Sequence, residues 1–158
     1  MSDCSDNLFR VAIASDHGGA DLKIIIKEHL ESLGYRVTDF GVKHGEKSDY
    51  PDQAVPVVEA LINGAADRGV LLCGTGVGIS IAANRFPGIR AALCRDEFTA
   101  RMSRAHNDSN VLVLGGRVLG AEAAKSVTDV WLNTEFEGGR HTPRIEKIDI
   151  IAENFRKK

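Results

Sequence analysis

Apolar runs typical of buried strands alternate with segments of helical periodicity along almost the whole chain. The strand-like runs are residues 8–14, 35–40, 69–72, 89–94 and 111–114, and a helix-like segment follows each of them. Parallel strands need a long crossover connection, which a helix supplies, so this alternation predicts a parallel sheet with helices on both faces. The 158 residues suffice for one such α/β domain with a single sizeable core.

The two ends of the chain differ in character. Residues 1–7 are polar and without periodicity, so we expect a flexible tail there. At the other end, Thr142 followed by Pro143 predicts a helix that is capped by the threonine and has proline at its first position. This last helix carries one apolar stripe, formed by Ile145, Ile148, Ile151, Ala152 and Phe155. Such a stripe must pack on the chain's own core or on a partner subunit.

Charge and hydropathy exclude several classes of function. The net charge is −2 with acidic and basic residues interspersed, which leaves no electrostatic footprint for nucleic acid or an anionic membrane. No apolar run is long enough to span a bilayer, and the polar N-terminal residues do not resemble a signal peptide. The three cysteines, Cys4, Cys73 and Cys94, form no Cys-x-x-Cys motif and cannot all pair within one chain. We therefore expect a reducing, cytoplasmic setting.

The segment with the most chemical information is residues 73–78, Cys-Gly-Thr-Gly-Val-Gly. It lies between a predicted strand and a predicted helix, where a glycine-rich turn exposes backbone amides that suit a phosphate or a developing oxyanion. Cys73 stands at the edge of this turn. A lone cysteine at the end of a strand is more often an inert core thiol. Beside a cluster of amide donors, however, a thiol can be held as a thiolate and act as base or nucleophile, which indicates an enzyme.

The glycine spacing does not match the common nucleotide-binding motifs. Dinucleotide-binding proteins carry Gly-x-Gly-x-x-Gly and an acidic residue about twenty positions later. This turn reads Gly-x-Gly-x-Gly, and no acidic residue ends the next predicted strand. The phosphate loop of nucleotide hydrolases is excluded as well, because no Gly-Lys-Ser/Thr follows. A nucleotide cofactor is therefore not expected.

Other polar residues are predicted at the same edge of the sheet, because open parallel sheets bind ligands beyond the carboxyl ends of their strands. Asp16 and His17 follow the first strand and precede two glycines; the alternative is a helix cap with a surface histidine. Cys94 ends the fourth strand and is interpreted as core. His106 and Asn107 precede the fifth strand, so only the folded chain can bring them near the glycine-rich turn.

Two further polar segments have both a structural and a functional interpretation. Residues 103–110 are typical of a capped connecting loop, although the imidazole of His106 within them is suited to proton transfer. Residues 50–52, Tyr-Pro-Asp, are most often a turn, and Asp52 is expected to cap the helix that follows.

The last predicted helix begins with cations. Arg140, His141 and Arg144 lie around its start, where basic side chains oppose the helix dipole. A phosphate bound there would remove the conflict, with the arginines as clamps. The alternative is a solvated basic turn.

Five segments together resemble the ribose-5-phosphate isomerase B family of sugar-phosphate isomerases, which includes the galactose-6-phosphate isomerase subunits. They occur in the family's order, and the similarity extends from about Arg10 to the C-terminus. The segments are 15–19 (Ser-Asp-His-Gly-Gly), 49–52 (Asp-Tyr-Pro-Asp), 73–84 (Cys-Gly-Thr-Gly-Val-Gly-Ile-Ser-Ile-Ala-Ala-Asn), 104–110 (Arg-Ala-His-Asn-Asp-Ser-Asn) and 138–144 (Gly-Gly-Arg-His-Thr-Pro-Arg). One branch of the family lacks the cysteine and has a glutamate after the turn's last glycine. With Cys73, and Ile79 at that later position, this chain is similar to the cysteine branch.

The resemblance implies a Rossmann-like three-layer αβα sandwich with a five-stranded parallel sheet and an extended C-terminal helix. It implies a homodimer, or a dimer of such dimers, in which residues of the partner complete each active site. It also implies interconversion of ribose 5-phosphate and ribulose 5-phosphate without a metal or an organic cofactor.

The resemblance and the needs of this reaction together assign roles. Cys73 is the expected base, the amides of the turn stabilise the enediolate oxygen, and Thr75 orients the substrate. His106 and Asp16 are implied to move the protons that open the furanose ring. The remaining residues are expected to contact the sugar or its phosphate: His17, Tyr50, Gly74, Gly76, Gly78, Asn107, Arg117, Arg140, His141 and Arg144.

Two other classes of function stay open, as does the choice of sugar. A phosphosugar-binding module without turnover would keep the arginines but would not need the thiol. A cysteine-dependent phosphatase would use Cys73 as a nucleophile, but such enzymes generally end the phosphate loop with an arginine, and here Ile79 follows. Among isomerases, ribose 5-phosphate, allose 6-phosphate and galactose 6-phosphate are all candidate substrates.

Overall fold

The structure, a computed structural model, describes residues 9–157. The strands are β1 (Arg10–Ser15), β2 (Arg36–Asp39), β3 (Arg68–Cys73), β4 (Ala91–Leu93) and β5 (Val111–Gly115). The helices are α1 (Ala20–Ser32), α2 (Tyr50–Ile62), α3 (Val77–Ala83), α4 (Glu97–Ala105), α5 (Ala121–Leu132) and α6 (Thr142–Arg156), with a short 3-10 turn at Gly139–His141. Within this part of the chain, none of the helices combines the length and apolarity needed to cross a bilayer. Cys4 and the predicted tail, residues 1–7, lie outside it.

The five strands form one parallel sheet in the order β2-β1-β3-β5-β4. At its centre β1 pairs with β3, so that Val11 faces Arg68 and Ser15 faces Leu72. Strand β2 lies next to β1 on one side of this pair, and β5 followed by β4 lies next to β3 on the other side. The gap between the carboxyl ends of β1 and β3 is therefore a topological switch point, where open α/β sheets bind their ligands.

Helices cover both faces of the sheet, which confirms the predicted three-layer αβα sandwich. On one face, α1, α4 and α5 enclose a core that contains Ile26 and Trp131, both fully buried. On the other face, α2 and α3 enclose a second core around Val57 and Ile79. The indole N–H of Trp131 donates to Ser109 Oγ at 2.8 Å, so this large core side chain keeps its polar atom paired.

The predicted elements are confirmed with small differences at their ends, and two cap assignments are wrong. Asp49, in the extended conformation that a cap requires, precedes α2, whereas Asp52 already lies inside the helix. Similarly, Thr142 is the first residue of α6 and His141 holds the position before it. The interpretation of Cys94 as core is confirmed, because its thiol is fully buried and this burial raises its pKa to about 11.

The apolar stripe of α6 does not pack on the chain's own core, which removes one of the two predicted alternatives. No residue of α6 is buried, and Ile148 and Ile151 are 52% and 54% exposed. A cavity of about 720 Å³ separates the helix from β4 and the loop before it. Arg156 closes part of this cavity by donating from Nη2 to Arg85 O at 2.8 Å. Burial of the stripe therefore requires another molecule.

Candidate active site

The loops after β1 and β3 meet at the switch point. The Asp16 amide donates to Leu72 O at 3.2 Å, which joins the first loop to the end of β3. The loops are in direct contact, since a Cβ added to Gly18 would lie 2.8 Å from the Gly74 nitrogen. Glycine permits this approach because it has no side chain. Asp16 and Cys73, which were predicted to share an edge of the sheet, therefore lie in adjacent loops.

Residues 73–78 form a turn that surrounds the thiol with backbone donors. Cys73 is 5% exposed, and the Gly76 amide donates to its Sγ at 3.1 Å. Gly76 has a φ of +81°, and an added Cβ would lie 2.5 Å from Leu93 Cδ1, so the turn requires glycine here. The Thr75 hydroxyl accepts from the Val77 amide at 3.2 Å. An N–H aimed at sulfur pairs more strongly with a thiolate than with a thiol, which suits Cys73 to work as a base or a nucleophile.

Tyr50 and Arg117 border this turn. The Tyr50 ring covers Gly78 so closely that an added Cβ would lie 2.8 Å from the ring's Cζ. The Arg117 guanidinium lies over Gly74, where an added Cβ would be 3.4 Å from Nη1. An aromatic ring near one end and a cation near the other thus border the amide-rich segment, an arrangement that suits a small anionic substrate.

The polar residues after β1 are held in place by the backbone. Asp16 is buried, and its Oδ1 accepts from the Gly18 amide at 2.8 Å. His17 is exposed, and its Nδ1 lies 3.2 Å from the Ser48 carbonyl oxygen in the loop before α2. The structure thus gathers nine of the predicted residues in a first cluster at the carboxyl edge of the sheet: Asp16, His17, Tyr50, Cys73, Gly74, Thr75, Gly76, Gly78 and Arg117.

Two glycines at the end of β5, Gly115 and Gly116, shape this site, although the sequence patterns above did not identify them. The Gly116 amide donates to Cys73 O at 2.8 Å. An added Cβ would lie 2.7 Å from Thr75 O at Gly115 and 2.6 Å from Gly18 O at Gly116. The signal was present in the sequence, because a glycine pair directly after a buried parallel strand lies at the edge where ligands bind.

The other predicted residues form a second cluster beyond α4. The rings of His106 and His141 stack with centroids 4.3 Å apart and planes 15° apart. Glu137, anchored by its amide to Ala105 O at 3.0 Å, places Oε2 3.8 Å from His106 Nε2 and 3.6 Å from His141 Nε2. This second cluster also contains three exposed residues: Asn107, Arg140 and Arg144.

The strand register places the two clusters at opposite edges of the sheet. Cys73 ends β3, whereas Gly69, near the start of β3, pairs with Val111, the first residue of β5. Arg90, which directly precedes β4, donates from Nε to Asn107 O at 3.1 Å, so the second cluster lies on the amino side. The four residue steps of strand between these edges span roughly 13 Å. The fold of a single chain therefore does not bring the second cluster to the thiol.

The second cluster is electropositive. Burial lowers the pKa of His141, because desolvation disfavours the charged ring; His106, Arg140 and Arg144 lower it further, and Glu137 opposes them. The first turn of α6 contains no acidic residue, so the charges of the arginines add to the positive end of the helix dipole. A phosphate would bind well at this place.

Known proteins share this fold and sequence. The sequence model of the Ribose/Galactose Isomerase family matches residues 11–148. Ribose-5-phosphate isomerase B of Escherichia coli (strain K12) is 49% identical over 144 residues, which are 91% of this chain and 97% of that protein. D-erythrulose-4-phosphate isomerase of Pectobacterium atrosepticum is 44% identical over 142 residues, 89% of this chain and 93% of that protein.

A solved structure is as similar to this chain as these relatives are. The crystal structure of a ribose 5-phosphate isomerase from Thermotoga maritima is 51% identical in sequence and superposes with a TM-score of 0.90. The match covers 91% of this chain and 99% of that chain. Both the sequence and the fold are therefore those of a known group of sugar-phosphate isomerases. The chain belongs to the Ribose/Galactose Isomerase family.

Proposed function

We propose that this protein interconverts ribose 5-phosphate and ribulose 5-phosphate through an enediolate, with Cys73 as the base. The observation that carries the proposal is the buried Cys73 sulfur, which accepts the Gly76 amide at 3.1 Å beside the loop of Asp16. The names of the Escherichia coli and Thermotoga maritima relatives support ribose 5-phosphate as the substrate. The two free thiols that the described residues contain, Cys73 and Cys94, suit a cytoplasmic protein.

The reaction moves a carbonyl from C1 to C2 of the sugar. A base takes the proton from C2, and the electron pair left behind forms the enediolate. A proton then passes from O2 to O1, and another returns to C1, which leaves the carbonyl at C2. In the proposed mechanism the Cys73 thiolate is this base. The amides of residues 74–78 donate to the enediolate oxygen, where negative charge develops, and Thr75 orients the sugar.

Ribose 5-phosphate is mostly a closed furanose, so its ring must open before C2 can lose a proton. Opening takes a proton from the anomeric hydroxyl and delivers one to the ring oxygen, which calls for a pair of proton-transfer groups. We assign this pair to Asp16 and His106, and the contacts to the sugar to Tyr50 and Asn107. The phosphate is assigned to the cationic residues of the two clusters: His17, Arg117, Arg140, His141 and Arg144.

This mechanism needs both clusters, so we further propose that a second copy of the chain completes each site. Within one chain, roughly 13 Å of sheet lies between them. In a two-fold dimer the second cluster of one subunit faces Cys73 of its partner, and the symmetry makes two equal sites. The exposed stripe of α6 supports this arrangement, because a partner subunit would bury it.

Replacing His106 by asparagine separates ring opening from proton abstraction. We expect kcat for cyclic ribose 5-phosphate to fall roughly hundredfold or more, since a proton-transfer group is lost. Exchange of the C2 proton of an open-chain analogue, followed by proton NMR in D₂O, should change little. His44→Asn is the matched control, because His44 is an exposed loop histidine paired with Asp21. Equal damage to both reactions would assign His106 to the enediolate step instead.

The preferred sugar is tested by comparing substrates. The distance between the thiol and the cations that hold the phosphate is fixed by the fold, so one extra carbon displaces the reacting centre. We therefore expect kcat/KM in a coupled assay to be highest for ribose 5-phosphate, ahead of allose 6-phosphate and galactose 6-phosphate. D-erythrulose 4-phosphate is included because of the Pectobacterium relative. A higher value for either hexose would favour the alternative, a 6-phosphate hexose isomerase.

A further inference from the structure

Three metal-binding side chains converge in the second cluster. His106, Glu137 and His141 each offer one ligand atom, and these atoms all lie within 4.8 Å of one another. Two imidazoles with one carboxylate is a ligand set that binds Zn²⁺ in proteins, whereas Mg²⁺ and Ca²⁺ prefer oxygen ligands alone. The chemistry of the three donors thus selects a divalent transition metal.

A second observation points to a ligand at this place. His141 is 5% exposed, and its buried Nε2 has no hydrogen-bond partner among residues 9–157. Its nearest carboxylate oxygen, Glu137 Oε2, lies at 3.6 Å, which is too far for a hydrogen bond. Buried polar atoms are rarely left unpaired, and each such case calls for a water, an ion or another ligand.

We propose that His106, Glu137 and His141 form a binding site for Zn²⁺, with a fourth position open to water. Bonds of about 2.1 Å in a tetrahedral site place ligand atoms about 3.4 Å apart. The observed 3.6 Å and 3.8 Å from Glu137 to the two histidines need to shorten by only a few tenths of an ångström. The two rings must also turn out of their stack, so that the plane of each contains the ion.

The residues around the three ligands permit this adjustment and limit the affinity for Zn²⁺. Glu137 is exposed, so its carboxylate is free to move toward the two imidazoles. Arg140 and Arg144, whose positive charges act on the ring of His141, oppose a cation. The site is therefore suited to reversible loading rather than to a permanent structural metal.

Zinc in this site would inhibit the isomerase. This consequence rests on the proposed function, in which His106 moves a proton during ring opening and His141 contacts the phosphate. An imidazole whose Nε2 binds a metal cannot exchange a proton at that atom. Binding and release of Zn²⁺ would thus switch the enzyme off and on without a bond between the metal and Cys73.

The test uses Co²⁺ as a spectroscopic probe for Zn²⁺ on the purified wild-type protein. We expect the visible absorption of four-coordinate Co²⁺, displaced by added Zn²⁺, and no intense near-ultraviolet band from a thiolate ligand. Glu137→Gln should weaken binding roughly 10–100-fold, because it removes the one anionic ligand. Glu135→Gln is the matched control, as Glu135 is an exposed glutamate two residues away. Both variants should fold, and the activity of each under metal is compared with its own metal-free activity.

Activity assays under Zn²⁺ complete the test. The concentration that halves activity should rise by the same factor in Glu137→Gln and stay unchanged in Glu135→Gln, and a chelator should restore turnover. Equal Co²⁺ affinity in the two variants, or a thiolate band that disappears in Cys73→Ser, would overturn the site. Co²⁺ binding with the expected pattern but without inhibition would support the site and contradict the proposed role of His106.

Discussion

Replacing Cys73 by serine is expected to lower kcat for ribose 5-phosphate roughly 10²–10⁴-fold while the fold and phosphosugar binding persist. Serine is nearly isosteric and can still accept the Gly76 amide, so the turn should keep its shape. A hydroxyl is far less acidic than a thiol, however, and cannot supply an anionic base at neutral pH. The effect is measured by steady-state kinetics, with calorimetry of a non-reacting sugar phosphate to show that binding survives.

Cys94→Ser is the matched control for this experiment. Cys94 is a buried core thiol that directly follows β4, at the same carboxyl edge of the sheet as Cys73. Its Sγ lies 3.6 Å from Ala92 O and 3.9 Å from Ser103 Oγ. We expect this variant to lose some thermal stability and to keep its turnover. Near-normal turnover in Cys73→Ser would remove Cys73 from the mechanism and leave the turn as a binding element only.

The second large effect is expected at the start of α6. Arg144→Ala should raise KM for ribose 5-phosphate roughly 10–100-fold, because a charged partner of the phosphate is lost. If Arg144 contributes binding alone, kcat stays nearly unchanged. If it also positions the sugar, KM rises and kcat falls. Lys147→Ala is the matched control, since Lys147 is an exposed cation on the same helix.

Mixing two impaired variants, assayed at a ribose 5-phosphate concentration well below the wild-type KM, tests whether the arginine and the thiol that share a site come from different subunits. In a dimer of one Arg144→Ala and one Cys73→Ser subunit, one site would carry both changes and the other would carry neither. Random exchange of equal amounts makes half of all dimers mixed, so about a quarter of the sites become intact and about a quarter of wild-type activity should return. Mixed dimers that stay inactive would place the arginine and the thiol in one subunit's site.

The residues at the carboxyl edge of the sheet could be predicted, because their position follows from the topology of the strands. Once residues 8–14 and 69–72 are identified as parallel strands, the residues that follow them must emerge at one edge. Asp16 and Cys73 were grouped correctly for this reason. Gly116 was missed, although the same rule applied to it, because two adjacent glycines by themselves suggest a turn and nothing more.

The composition of the second cluster was beyond sequence patterns. Helix α4 returns the chain to the amino edge, but the spacing of residues does not tell which partner His106 meets there. The apolar stripe of α6 likewise predicts burial without naming the surface that supplies it. Its exposure in one chain is information that only the folded structure provides.

The cap assignments failed for a local reason. Asp49 and Asp52 are the same residue type three positions apart, and both satisfy the preference for a cap. Pro51 decides between them, because proline is favoured in the first turn of a helix and α2 therefore begins before it. The error moved the start of this helix by less than one turn.

The most direct test of isomerisation through an enediolate is an NMR measurement of the wild-type protein with ribose 5-phosphate in D₂O. We predict that ribulose 5-phosphate appears, that solvent deuterium enters the sugar at C1 and C2, and that phosphate stays esterified. A base that exchanges its proton with water during turnover produces this labelling. Release of inorganic phosphate would instead identify a hydrolase, and an unchanged sugar would identify a binding protein. Ketose that remains free of deuterium after many turnovers would contradict the enediolate.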